Sequence, residues 1–160
     1  MSTLRANNLK NADNLLVPLT PTRPSFRAQP ASEIANQAAS ADLTFDEVGA
    51  NDGTSHGCHN IGNHYSTSTG KFTCPVAGVY VFHFCGLSYA ENACAVQIQL
   101  NAQAVAVGQA NVSNDESNYE SVNVSAVLNC AKGDLVHAKV TTGNFYGSPD
   151  YAHFSGFLLG

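Results

Sequence analysis

The sequence has no tryptophan, one methionine and few charges: Asp, Glu, Lys and Arg together make up 12% of 160 residues. No run of about 18 apolar residues occurs, so no helix is expected to cross a membrane. Near the start, Leu15, Leu16 and Val17 form one short apolar cluster that Pro18 ends, well short of a secretory h-region. No Gly-x-Ser-x-Gly elbow, phosphate loop or dinucleotide fingerprint is present, and no Ser/His/Asp or paired-carboxylate arrangement can be placed. Catalysis is therefore not expected. The calcium pattern Asp-x-Asn-x-Asp-Gly is also missing.

Charge of one sign is unevenly placed. Residues 1–30 carry Arg5, Lys10, Arg23 and Arg27 against Asp13, a net +3. The remainder carries Lys71, Lys132 and Lys139 against eleven acids, a net −8. An acidic body excludes nucleic acid as the expected partner, because neutralising phosphates requires a basic face. The low overall charge has two readings that stay open: a surface covered by other subunits, or a neutral exterior rich in Asn, Ser, Thr and Gln.

Five cysteines (Cys58, Cys74, Cys85, Cys94 and Cys130) are odd in number and irregularly spaced, which fits a reducing cytosol. Cys74, Cys85, Cys94 and Cys130 fall in or beside expected strands and read as small core hydrophobes. Asn111-Val-Ser113 and Asn123-Val-Ser125 match the glycosylation acceptor pattern; with no secretory route they read as coincidences.

Pro18, Pro21, Pro24 and Pro30 exclude helix at the start and favour extended backbone. Residues 1–24 read as an extended arm held by a partner, and residues 25–160 as one domain. In that domain, strands are expected at 25–29, 41–48, 70–74, 78–88, 94–110 (two, around Asn101-Ala102), 119–130, 134–140 and 153–160. Val96, Ile98 and Leu100 alternate with Gln97 and Gln99, the period of two of a half-buried strand. Residues 31–41 read as a loop with a turn. In "GVYVFHFC", Tyr80, Phe82 and Phe84 face one way and Val79, Val81, His83 and Cys85 the other. Neither side is polar, so both sides require cover. Short strands without intervening helices mean an all-β sandwich or jelly roll.

The spacing Phe45-x5-Asn51, then Tyr65-x6-Phe72-x5-Gly78-x-Tyr80-x-Phe82-x-Phe84, resembles the signature of the complement C1q globular heads, relatives of the tumour-necrosis-factor jelly rolls. "LNCAKGDLV" (128–136) and "FSGFLL" (154–159) resemble that family's later turn and last strand. The loop 52–64 departs from it, with thirteen residues where the family has about four. Collagen-like triplets are absent, which points away from an animal complement role. The resemblance implies a ten-stranded, homotrimeric jelly roll that recognises or assembles rather than catalyses. It places Tyr80, Phe82, Phe84, Val79, Val81, His83, Phe154 and Phe157 at the trimer interface or core.

The opening "MSTLRANNLKN" resembles structural proteins of marine bacteriophages, including cyanophages. That likeness implies a virion component assembled in a bacterial cytoplasm, with Leu4, Arg5, Leu9, Lys10, Leu15 and Leu16 anchoring to a major capsid or other virion protein. The expected role is a capsid decoration or head-fibre protein. A tail-fibre tip binding a host receptor or glycan through loops 49–65 and 111–119 is the alternative, with His56, His59 and His64 facing the receptor. A free lectin-like protein is the third reading.

No metal or cofactor is expected. The residues weighed for zinc are His56, Cys58, His59 and His64, of which only His59-x4-His64 has a usual ligand spacing. Calcium is weighed at the turn aspartates, but Asp134 after Gly133 reads as a turn-former. His83 reads as a satisfied or interface histidine, and His137 and His153 receive no role.

Overall fold

A computed structural model describes residues 8–10, 16–18, 23–49, 57–89, 92–111 and 119–159. The elements are β1 (Asn8–Lys10), β2 (Leu16–Pro18), β3 (Ser25–Ala28), β4 (Ile34–Ala38), β5 (His59–Ile61), β6 (Tyr65–Ser66) and β7 (Lys71–Thr73). They continue with β8 (Gly78–Ser88), β9 (Cys94–Leu100), β10 (Gln103–Ala110), β11 (Ser121–Cys130), β12 (Leu135–Gly147) and β13 (His153–Leu158). β1 and β2 pair with each other in antiparallel fashion. Their backbone is extended, as the prolines require. Leu9 and Lys10 lie in β1 and Leu16 in β2, while Leu4, Arg5 and Leu15 lie outside the described residues.

β3 to β13 form one hydrogen-bonded network of eleven strands folded into two layers. Layer one runs β11-β8-β13-β3-β5, and layer two runs β10-β9-β12-β7-β6. The long β12 belongs to both. Its first part pairs with β9 and β7, and its end, around Phe145 and Tyr146, crosses to β8. The crossing needs a bend, supplied by a register shift between Val140 and Thr142 and by Gly143 at φ 69°. A side chain at Gly143 would collide with the Ala93 carbonyl, so glycine is required there.

The layers close on an aromatic core. Phe26, Tyr80, Phe82, Phe84 and Phe154 come from layer one, and Phe72, Val96, Ile98, Val136 and Val140 from layer two; all are fully buried. Phe26 stacks on Tyr65 and Phe72 with ring centroids 4.8 and 4.9 Å apart. Gly156 leaves the space that the Phe26 and Phe82 rings fill. Truncating any one of these rings to alanine would cost about 3–5 kcal/mol.

Several expectations differ: among the described residues the domain has eleven strands where ten were expected, with β5 and β6 in a stretch where none was expected, and the strand expected at 134–140 runs on as β12 to Gly147. Residues 31–41 contain β4, which pairs with the end of β12, because β12 continues past Gly143 and offers an open edge there. Residues 41–48 alternate as expected, with Leu43 and Phe45 buried, but make only the isolated bridges Asp42↔Lys139 and Gln29↔Glu47. The same edge of β12 is already taken by β7 on one side and β4 on the other. The hairpin at Asn101-Ala102 is as expected: both residues have positive φ, 50° and 66°, the geometry that matches strand twist in a two-residue loop.

Candidate functional surface

Strand register fixes what stands on the outer face of layer one. Val127, Val81, Phe157, Ser25 and Ile61 lie in one row across β11, β8, β13, β3 and β5. The next row towards the C-terminal end of β8 is Ser125, His83, Ser155, Arg27 and His59. Beyond it come Asn123, Cys85 and His153. The face therefore grades from an apolar end to a histidine–cysteine middle. At the apolar end Val127 is 67% exposed, Phe157 45% and Leu159 51%.

The two sides of β8 behave as its alternation requires. Tyr80, Phe82 and Phe84 are buried inside the chain's own core, as is Phe154 of β13. Val79, Val81 and His83 are half-buried on the outer face and Phe157 is exposed there. The eight residues expected at an interface or core thus divide: four fill the protomer's core, and four form part of a surface.

In the middle of the face, Cys85 sits directly opposite His153, and His83 lies two residues along β8. Cys85 Sγ is 2.9 Å from His153 Nδ1. His83 Nδ1 is 2.8 Å from Ser125 Oγ. One donor atom from each of His83, Cys85 and His153 lies within 4.8 Å of the other two. Burial, with the nearby charges of Arg27 and His83, holds the His153 imidazole down at about 4. Burial pushes the Cys85 thiol up, against smaller opposing effects of a hydrogen bond from the His153 backbone and of the Arg27 charge. Near neutral pH both groups are uncharged.

The loop weighed for zinc does not assemble among the described residues. Cys58 is buried, 3.8 Å from Arg27 Nη1. His59 Nδ1 lies 3.2 Å from the Gly57 carbonyl. His64 packs edge-on against Phe72. His56 lies outside the described residues, as do the rest of 50–56 and all of 112–118 in the segments 49–65 and 111–119 that the receptor reading invoked. Asp134 is the turn-former expected of it: its carboxylate accepts from the Ala131 amide at 2.7 Å and from Asn101 Nδ2 at 2.9 Å. Those bonds, Asn101 first, hold its carboxyl below the ordinary range.

Cys74, Cys94 and Cys130 are buried core residues as read, and burial raises all three thiols. Cys85 departs from that reading. It stands on the outer face because odd positions of β8 point away from the core. Sequence reasoning also missed two clusters. One is the His83–Cys85–His153 group; His83-x-Cys85 puts two donors on one face, but His153 joins them only through strand register. The other is tyrosine: Tyr119 and Tyr146 lie 4.9 Å apart, with Tyr89 close to both. Tyr119 is exposed.

The family model of the C1q domain matches residues 25–159. Caprin-2 of Danio rerio is 32% identical over 143 residues, which are 89% of this chain but 15% of Caprin-2, so the chain spans a small part of that relative's length. Among solved structures, the globular domain of the zebrafish complement 1qA protein superposes with a TM-score of 0.67 at 23% identity, covering 87% of this chain and 98% of that one. The Eiger TNF of S. frugiperda gives 0.65 at 15% identity, covering 86% and 94%. Murine APRIL gives 0.59 at 12% identity, covering 86% and 100%. With its all-β jelly roll and a match over nearly all of the domain, this chain belongs to the C1q domain family.

Proposed function

We propose that the chain is a non-enzymatic assembly and recognition head that works as a homotrimer through the outer face of layer one. The observation carrying this reading is the apolar end of that face. Val127, Val81, Phe157 and Leu159 form a contiguous patch with three strongly exposed members. Burying such side chains contributes about 1.5–3 kcal/mol each. A second copy of the same surface is the occupant that a family with a trimeric habit supplies. The non-catalytic part of the reading is supported by the family, whose domains are in general not catalysts.

The setting we favour is a virus particle: a trimeric capsid decoration or head fibre, attached through residues 1–24 to a major capsid protein or another virion protein. The charge asymmetry supports it, since residues 1–24 carry a net +2 ahead of a body, residues 25–160, of net −7, and a basic segment suits an acidic or polar coat surface. A tail-fibre tip is the second reading, favoured by the surface tyrosines around Tyr119, a residue type well suited to recognition. Deleting residues 1–24 tests the attachment. The decoration reading expects the remaining domain to stay trimeric in solution and to lose particle association; particle binding that survives the deletion would overturn it. Soluble binding to a cell-surface glycan that Tyr119→Ala abolishes would favour the tip instead.

A further inference from the structure

We propose that His83, Cys85 and His153 form a binding site for one zinc-type divalent cation per chain. The three donors belong to a single chain; they share the outer face of layer one with the proposed contact between copies, and the site rests on their own geometry.

Directly opposed residues in an antiparallel pair hold their Cβ atoms about 4.5–5.5 Å apart, and diagonal neighbours about 7–8 Å. Cys85 and His153 are opposed; His83 and His153 are diagonal. Side chains of these lengths therefore reach a common point above the sheet, as the mutual 4.8 Å limit on their donor atoms records. Zinc bonds sulfur at about 2.3 Å and imidazole nitrogen at about 2.0–2.1 Å, so tetrahedral ligand atoms stand about 3.3–3.6 Å apart. The Cys85 Sγ to His153 Nδ1 separation of 2.9 Å lies below that span and the 4.8 Å limit above it. Shifts of about an ångström, within the reach of side-chain rotation, bring all three donors to zinc distance.

The supporting contacts also fit. Ser125 Oγ holds His83 by Nδ1 at 2.8 Å, which orients the ring and leaves Nε2 as its donor, the role an outer hydrogen bond takes at metal histidines. All the donors stand on β8 and β13, and β8 is paired on both sides, by β13 and β11, so the backbone beneath them is rigid. Two imidazoles and a thiol suit zinc and related borderline metals and do not suit calcium or magnesium, which require oxygen. On binding, the metal takes the place of the thiol proton between Sγ and Nδ1, and that proton passes to water. The site then carries one additional positive charge. Water completes the coordination on the exposed side. Arg27 is the charged group closest to opposing this, because its charge is felt at both Cys85 and His153.

Cobalt(II) titration of the full-length chain, freed of metal by chelator, tests the site. The expected result is saturation at one cobalt per chain, with a thiolate-to-metal absorption band and tetrahedral ligand-field bands that zinc abolishes. Cys85→Ser should remove the thiolate band, whereas Cys58→Ser and His59→Asn should keep it. Circular dichroism and unfolding midpoints establish that each variant is folded. If Cys85→Ser does not fold, His83→Asn decides: cobalt binding weakened at least tenfold supports the site, and unchanged binding overturns it. Absence of a saturable band in the unaltered chain, or a band that survives in folded Cys85→Ser, also overturns it.

Discussion

On the outer face of layer one, Val127, Val81 and Phe157 stand side by side with little to cover them. On the outer face of layer two, the matching rows are Ala104, Gln99, His137, Lys71 and Ser66, and Val107, Gln97 and Lys139. Gln99 there donates to Gln97 at 3.0 Å. Asp42, carried in by the 41–48 segment, reaches His137 at 3.3 Å, Lys71 at 3.6 Å and Lys139 at 3.9 Å. One face satisfies its polar groups within the chain. The other leaves adjacent apolar side chains in water, whereas Val107, 57% exposed on layer two, stands in a row with the polar Gln97 and Lys139. Both layers bury side chains in the core, mainly aromatic from layer one and mainly aliphatic from layer two, so the contrast between their outer faces lies outside folding and supports the proposed contact between copies on layer one.

The largest expected effect comes from charging the exposed side. Replacing Val127 and Phe157 together by aspartate should weaken self-association by roughly a hundredfold, the equivalent of about 3 kcal/mol of lost apolar burial. The unfolding midpoint of the protomer should hardly move, since both side chains project away from the core. Val107→Asp on the opposite face is the control, and sedimentation should find its assembly unchanged. Equal losses from both faces would erase the distinction between them.

A smaller effect belongs to layer two. Asp42→Asn removes the carboxylate that three cationic or protonatable groups share, and urea unfolding should register a loss of about 1 kcal/mol. The mass of the assembly should be unaffected. A change of mass without a change of stability would reverse the roles assigned to the two faces.

The smallest effect is a dependence on pH. Burial, opposed by the attraction of Asp42 and aided by the repulsion of Lys71 and Lys139, holds His137 below its ordinary value of 6.5. Below pH 6.5 the unfolded chain accepts a proton that the folded chain refuses, so stability falls as the solution is acidified. His137 Nδ1 is also buried without a hydrogen-bond partner, which makes the charged ring costlier still. Thermal unfolding of His137→Gln should show a flatter slope from pH 7 downward; an unaltered slope would assign the dependence elsewhere.

The sequence made the strands legible wherever alternation and turn chemistry agreed. Val96-Gln97-Ile98-Gln99, the Asn101-Ala102 turn and the Tyr80-Phe82-Phe84 ridge are read locally, because each depends on residues a few positions apart. Ile34–Ala38 was not legible. Its alanines and asparagine carry little strand preference, and its pairing exists only because β12 extends beyond Gly143. The same separation hid the surface sites. His153 lies 68 residues from Cys85 in sequence, and only the register of β13 on β8 brings them together. The local concentration of histidine at 56–64 was the more visible pattern, yet His59 and His64 make separate contacts. Compositional density shows which residue types are present; it does not show which of them the sheet aligns.

The exposed end of layer one is proposed as the interface between copies of this chain. Sedimentation equilibrium of the full-length protein at micromolar concentration measures it directly. The expected mass is about 50 kDa, three times the 16.8 kDa chain. A monodisperse species at 16.8 kDa across that range, with Phe157 and Val127 still open to solvent, would contradict it.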